Sequence, residues 1–159
     1  MCFRTRDLYH IESQRDISIL QSKNIEFALG EHIDKRRIRM REQRNQLRED
    51  SIAFAISVAE VCEQIKGNGV FVNQLLRASS SIGANLHEAK YAQSRLDFIS
   101  KMEIALKDSS ETEYWLELIY RRGKLTEEQY KRLRNLCGSI RRRLIASITT
   151  VKGEKGSKG

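Results

Sequence analysis

Gln74-Leu-Leu-Arg-Ala-Ser-Ser-Ser-Ile-Gly-Ala-Asn-Leu-His-Glu-Ala89 is the stretch whose reading decides the fold. Its apolar residues keep helical spacing, and Arg77, Ser81, Asn85 and Glu88, at intervals of four, four and three, line up on a different face. Three serines, a glycine and an asparagine are poor helix formers, so tertiary contacts rather than intrinsic propensity must keep the segment helical. Ser79 to Ser81 with Gly83 and Ala84 permit a neighbouring helix to approach closely. The seam Val72, Leu75, Ser79, Ile82, Leu86 and Ala89 alternates by three and four, as in antiparallel bundles.

Outward from this segment the chain reads as four amphipathic helices. Arg41 to Lys66 forms the first, with Leu47, Ser51, Phe54, Val58, Val61 and Ile65 on one stripe and Ile52, Ala55, Ala59 and Cys62 beside it. Gly67-Asn-Gly69 tolerates positive φ and turns the chain into the second helix, about Val70 to Tyr91. Ser94 caps the third, with Asp97 in place of the usual Glu of a capping box. That helix buries Phe98, Ile99, Met102, Ala105, Leu106, Leu116 and Ile119, and ends at Arg121-Arg-Gly123. In Leu125-Thr-Glu-Glu-Gln-Tyr130 the threonine caps, the glutamine reaches back and Leu125 staples onto Tyr130. The fourth helix then places Tyr130, Leu133, Cys137, Ile140, Leu144, Ser147 and Val151 inward.

The expected fold is therefore all-α: an antiparallel up-down-up-down four-helix bundle over residues 41–152. Residues 153–159 form a disordered Lys/Gly tail, and residues 1–40 an N-terminal extension whose apolar residues keep no sustained period. That extension is either a partly helical arm or sequence upstream of a start at Met40. The absence of proline, where average usage would supply about eight, favours long helices. No run is apolar enough to span a bilayer, and the amino terminus has no secretory pattern, so the expected location is the cytoplasm. Cys2, Cys62 and Cys137 have no metal spacing; the last two occupy core positions.

The net charge of +8 is concentrated. From Arg121 onward twelve Lys/Arg face three Glu, and elsewhere seventeen basic residues are nearly cancelled by eighteen acidic ones. Arg121, Arg122, Lys124, Lys131, Arg132, Arg134, Arg141, Arg142 and Arg143 are accordingly the candidate nucleic-acid surface. No recognition motif accompanies them, so the expected contacts are to phosphates, sensitive to salt and weakly sequence-specific. The bland alternative is a face that keeps the protein soluble.

Arg77, Ser81, Asn85 and Glu88 are candidates for a polar network or an oligomer contact, with Glu103, Glu111 and Glu113 as possible partners. Tyr114, Trp115 and Tyr120 suit core or interprotomer packing better than base stacking.

Catalysis is poorly supported. His10, His32 and His87 follow Asp7, Leu29 and Ala84 by three, so the Glu-x-x-His pairs of a di-iron bundle are missing. His87-Glu88 opens like a zinc-protease helix, but Tyr91 stands where the second histidine belongs. No phosphate loop, dinucleotide fingerprint or activated nucleophile is visible, and no metal or cofactor is implied.

Leu75 to Ala89, followed by Ala92-Gln-Ser94, Asp97-Phe-Ile-Ser-Lys101, Ala105-Leu-Lys107 and Glu111-Thr-Glu-Tyr-Trp-Leu116, resembles the four-helix-bundle proteins encoded in intervening sequences of 23S rRNA genes. The resemblance spans roughly residues 41–151. It departs from the family where Glu88-Ala89 replaces a common Glu-Gly. That family is similar in fold to the accessory protein of diversity-generating retroelements, which works beside a reverse transcriptase. The resemblance implies a ring-like homopentamer with nucleic acid, RNA favoured, as partner, and brings no enzymatic activity. The expected function is a non-catalytic homo-oligomer that binds nucleic acid or scaffolds a nucleic-acid-processing protein such as a reverse transcriptase. A purely structural homo-oligomeric adaptor is the alternative.

Overall fold

The computed structural model describes the backbone of residues 14–153 and the side chains of residues 35 and 38–153. Four helices follow one another: α1 (Gln14–Glu63), α2 (Gly69–Ala89), α3 (Arg95–Arg121) and α4 (Glu127–Gly153). No strand occurs among the described residues. The chain divides between Gln43 and Arg44 into two units; the second contains the C-terminal part of α1 and all of α2, α3 and α4.

Within the second unit, side-chain bonds fix the topology. Arg48 meets His87 across α1 and α2, Ser81 meets Asp108 across α2 and α3, Arg141 meets Glu113 across α3 and α4, and Asp50 meets Arg143 across α1 and α4. A second pair in each seam moves along the two helices in opposite directions, as Gln64–Gln129 does relative to Asp50–Arg143. All four neighbouring pairs are therefore antiparallel, which is the up-down-up-down bundle.

The core holds Leu47, Phe54 and Val58 of α1, Leu75, Ile82 and Leu86 of α2, Met102, Leu116 and Ile119 of α3, and Leu133, Cys137 and Leu144 of α4. These are the stripes expected from spacing. At α4 the last inward turn is Ile148 rather than Ser147 and Val151, which are only half-buried. Ile52, placed beside the first stripe by its angle, is half exposed at 50%.

The helix ends follow their local chemistry. Ser94 Oγ accepts from Asp97 N at 3.1 Å, while the Asp97 carboxylate, too short to reach Ser94 N, accepts from Gln93 N at 3.1 Å. Thr126 and Gln129 form the reciprocal box at 3.1 and 3.0 Å. Between α1 and α2, Gly67 (φ 78°) and Asn68 (φ 59°) take the left-handed conformation that a glycine or an asparagine tolerates.

Two boundaries differ from the sequence expectation. α1 begins at Gln14 rather than near Arg41, and α4 runs through Gly153, the first residue assigned to the tail. A helix needs no apolar stripe to form its backbone hydrogen bonds, so periodicity, which reports burial, is silent over residues 14–40. The remaining parts of the extension and tail, residues 1–13 and 154–159, lie outside the described residues.

Candidate nucleic-acid interface and the α2–α3 polar seam

The 100° step of a helix sorts the cations of α4 by direction. Leu133, Cys137, Ile140 and Leu144 point to the core, so Lys131 and Arg142 fall on the outer face, Arg134 and Arg141 on the side toward α3 and Arg132 and Arg143 on the side toward α1. Arg141 Nε lies 3.4 Å from Glu113 of α3, and Arg143 pairs with Asp50 of α1. Both guanidiniums are thus committed to carboxylates of their own chain. Within local turns, Lys131 pairs with Glu127 at 2.6 Å and Arg121 with Glu117 at 2.6 Å.

The other five sequence candidates make no ion pair among the described residues. Arg122 donates to Asn68 Oδ1 at 2.9 Å and lies over the Phe71 ring at 5.1 Å; Arg134 lies over Tyr130 at 5.8 Å. Lys124, Arg132 and Arg142 are exposed. The structure therefore splits the nine cations: Arg141 and Arg143 tie α4 to its neighbours, Arg121 and Lys131 are paired within their own helices, and the other five stand exposed on the α3–α4 turn and on α4. Thr126, Glu127, Glu128, Lys131 and Arg132 line an open depression there.

Arg77, Ser81, Asn85 and Glu88 all face α3. Ser81 Oγ donates to Asp108 Oδ2 at 2.6 Å, and Asn85 Nδ2 donates to the same oxygen at 3.2 Å and to Ser81 O at 3.0 Å. Arg77 pairs with Glu111, whose Oε1 also accepts from Trp115 Nε1 at 3.2 Å. Glu88 pairs with Lys101 at 2.5 Å, and that hydrogen bond holds the ammonium pKa above its ordinary value.

Of the three expected acidic partners only Glu111 takes part; Glu103 and Glu113 turn to Lys152 and Arg141 on α4. The hub is Asp108, only 7% exposed, which the sequence reading passed over because it looked for apolar residues on the buried stripe. The available signal was position: Asp108, Ser109 and Thr112 continue the three-four alternation between Ala105 and Leu116.

Trp115 stacks near Phe71 at 6.1 Å and edge-on to Tyr114 at 4.9 Å, while Tyr120 and Tyr130 stack at 4.2 Å with ring planes 4° apart. Burial pushes the Cys62 thiol up to about 11 and the Cys137 thiol to about 12. No helix among the described residues is long and apolar enough to cross a membrane, and no three ligating side chains gather there as for a metal.

The model of the 23S rRNA-intervening sequence protein family matches residues 43–146, which is the bundle with its polar seam. The chain belongs to this family. A crystal structure of a protein of unknown function from the S23 ribosomal protein family of Bacteroides thetaiotaomicron is 41% identical, covers 67% of this chain and 98% of its own, and superposes with a TM-score of 0.65. Among curated proteins none matches. That superposition is a likeness of fold to a protein whose own function is unknown.

Proposed function

We propose that this member of the 23S rRNA-intervening sequence protein family is a non-catalytic homo-oligomer, a pentamer, that binds nucleic acid, RNA in preference to DNA, in the cytoplasm. It does so alone or as a scaffold for a nucleic-acid-processing protein such as a reverse transcriptase. The observation that carries the reading is the set Arg122, Lys124, Arg132, Arg134 and Arg142, exposed and without ion pairs on the α3–α4 turn and on α4. Unpaired surface cations retain their full attraction for phosphate, and repetition around an oligomer lets weak contacts add. The family description, which refers to intervening sequences of 23S rRNA, favours RNA.

The alternative adaptor is favoured by a different observation: Arg121, Lys131, Arg141 and Arg143 are already neutralised within the chain. A salt titration of RNA binding separates the two. Each phosphate contact contributes about −0.9 to the slope of log K against log salt for a duplex and about −0.7 for a single strand. Lys124→Ser/Arg132→Ser/Arg142→Ser should weaken binding at low salt and flatten the slope by about two units or more. No binding at low salt leaves the adaptor, and an unchanged slope takes the α4 cations out of the contact.

A further inference from the structure

A second cluster of cations lies away from α4, where charge counting along the chain finds no excess. Arg44 and Arg48 stand one helical turn apart on α1, and His87, Lys90 and Tyr91 lie at the end of α2 beside them. Arg48 Nη2 lies 3.1 Å from His87 Nδ1. A guanidinium can only donate, so Nδ1 accepts, and the proton of the neutral imidazole sits on Nε2, where it remains available to another acceptor. Lys90 Nζ is 5.3 Å from the Tyr91 ring centroid, and the His87 ring is 5.5 Å from it at 55°. Arg44 lies over Phe98 at 5.8 Å.

Two features set this cluster apart from a merely solvated surface. Tyr91 is 65% exposed, a large aromatic ring held among cations rather than buried. Arg44, Arg48 and Lys90 make no ion pair among the described residues, and the adjacent carboxylate, Glu88, is taken by Lys101. A cation at a helix C-terminus does offset the dipole, which accounts for Lys90. It accounts neither for the two arginines of α1 nor for the exposed ring.

We infer that Arg44, Arg48, His87, Lys90 and Tyr91 form a binding site for single-stranded nucleic acid, in which the cations hold phosphates and Tyr91 stacks on an unpaired base. Stacking on an exposed ring between cations suits a single strand, whose bases are free, and is denied to a duplex, whose bases already stack on each other. Phosphate and base are met by one patch, which the α4 face lacks.

The test is binding of a fluorescent oligouridylate and of an RNA duplex of equal length to the full chain at fixed salt. Tyr91→Ala should lose roughly 5- to 100-fold of single-strand affinity and leave duplex affinity unchanged, whereas Tyr91→Phe, which keeps the ring, should bind as the native chain does. The exposed position makes an unchanged melting curve the expected control. Single-strand affinity unaltered in Tyr91→Ala, equal losses on strand and duplex, or no binding of oligouridylate by the native chain would each overturn the inference. The α4 triple variant keeps the two surfaces distinct. Loss there with Tyr91→Ala unaffected removes this site and leaves the α4 reading; loss in Tyr91→Ala alone, with the α4 variant unaffected, does the reverse.

Discussion

Asp108 is the residue on which the α2–α3 seam turns. Its carboxylate is buried, and two donors from α2 converge on a single oxygen. Removing the acceptor leaves the Ser81 hydroxyl short of a partner in a half-buried seam, where an unsatisfied group costs about 1–3 kcal/mol, while Asn85 Nδ2 keeps Ser81 O and Ser81 Oγ. Asp108→Ala should therefore lower stability in denaturant by about the cost of that one group, 1–3 kcal/mol. In a double-mutant cycle the added Ser81→Ala should cost much less than it does alone. Additive losses would show that the two residues do not act on each other. The cysteines make the opposite point, that burial alone can silence chemistry. With thiols pushed up to about 11 and 12, Cys62 and Cys137 hold almost no thiolate near neutrality. At pH 8 a thiol reagent should label neither until denaturant is added; rapid labelling of either in the folded chain contradicts the burial.

At the scale of elements, contacts between helices set both spacing and pH response. A Cβ built on Gly83 would sit 3.3 Å from Ser51 Oγ, itself held by donation to Arg48 O at 2.6 Å, so α1 and α2 touch where α2 has no side chain. Gly83→Leu should force the helices apart and cost about 1–3 kcal/mol, despite leucine's better helix propensity; a stability equal to the native chain's would mean that the seam has room. Across α3 and α4 the Tyr130 hydroxyl donates to Glu117, whose carboxylate is thereby held below its ordinary range, with Arg121 assisting, while the phenol is raised. Above about pH 10 the unfolded phenol ionises before the folded one, so this contribution to stability is lost as pH rises. Below the usual carboxylate range the unfolded Glu117 takes up its proton first, so the contribution is lost again as pH falls. Tyr130→Phe keeps the ring stack on Tyr120 and should reduce both the alkaline and the acid limb by the share this pair supplies; identical melting-temperature profiles would exclude the coupling. Much of this scale was legible beforehand. The stripe of α2, the Thr126 box and the Gly67-Asn68 turn follow from residue type and spacing, because burial and capping act locally. The partner of Ser81 was not legible, since choosing among Glu103, Asp108, Glu111 and Glu113 requires the register of α3 against α2. Nor was the division of the α4 arginines, because Arg141 and Arg143 differ only in which neighbouring helix they face.

For the whole molecule, the oligomeric part of the proposed function makes its own demand on the surface. α1 and α3 occupy diagonal corners of the bundle, and each leaves apolar side chains outside: Ile52 (50%) and Ile56 (54%) on α1, Leu96 (68%), Ile104 (40%) and Tyr114 (59%) on α3. Isolated exposed apolar residues are ordinary, but Ile52 and Ile56 fall one turn apart on one face of α1, and Leu96, Ile104 and Tyr114 fall within an arc of about 80° along α3. Two different apolar faces on opposite corners suit head-to-tail association, which closes into a ring when the rotation permits, whereas a two-fold dimer matches one face to itself. Ile52→Glu/Ile56→Glu places two carboxylates in the apolar α1 side of that contact and leaves the core untouched. Native mass spectrometry should then show the assembly reduced to the monomer, while the helical signal and the chemical-denaturation midpoint of the monomer are retained. An intact assembly in this variant would move the contact to another face, and a monomeric native chain would end the oligomeric reading and, with it, the gain in affinity expected from repeated basic surfaces.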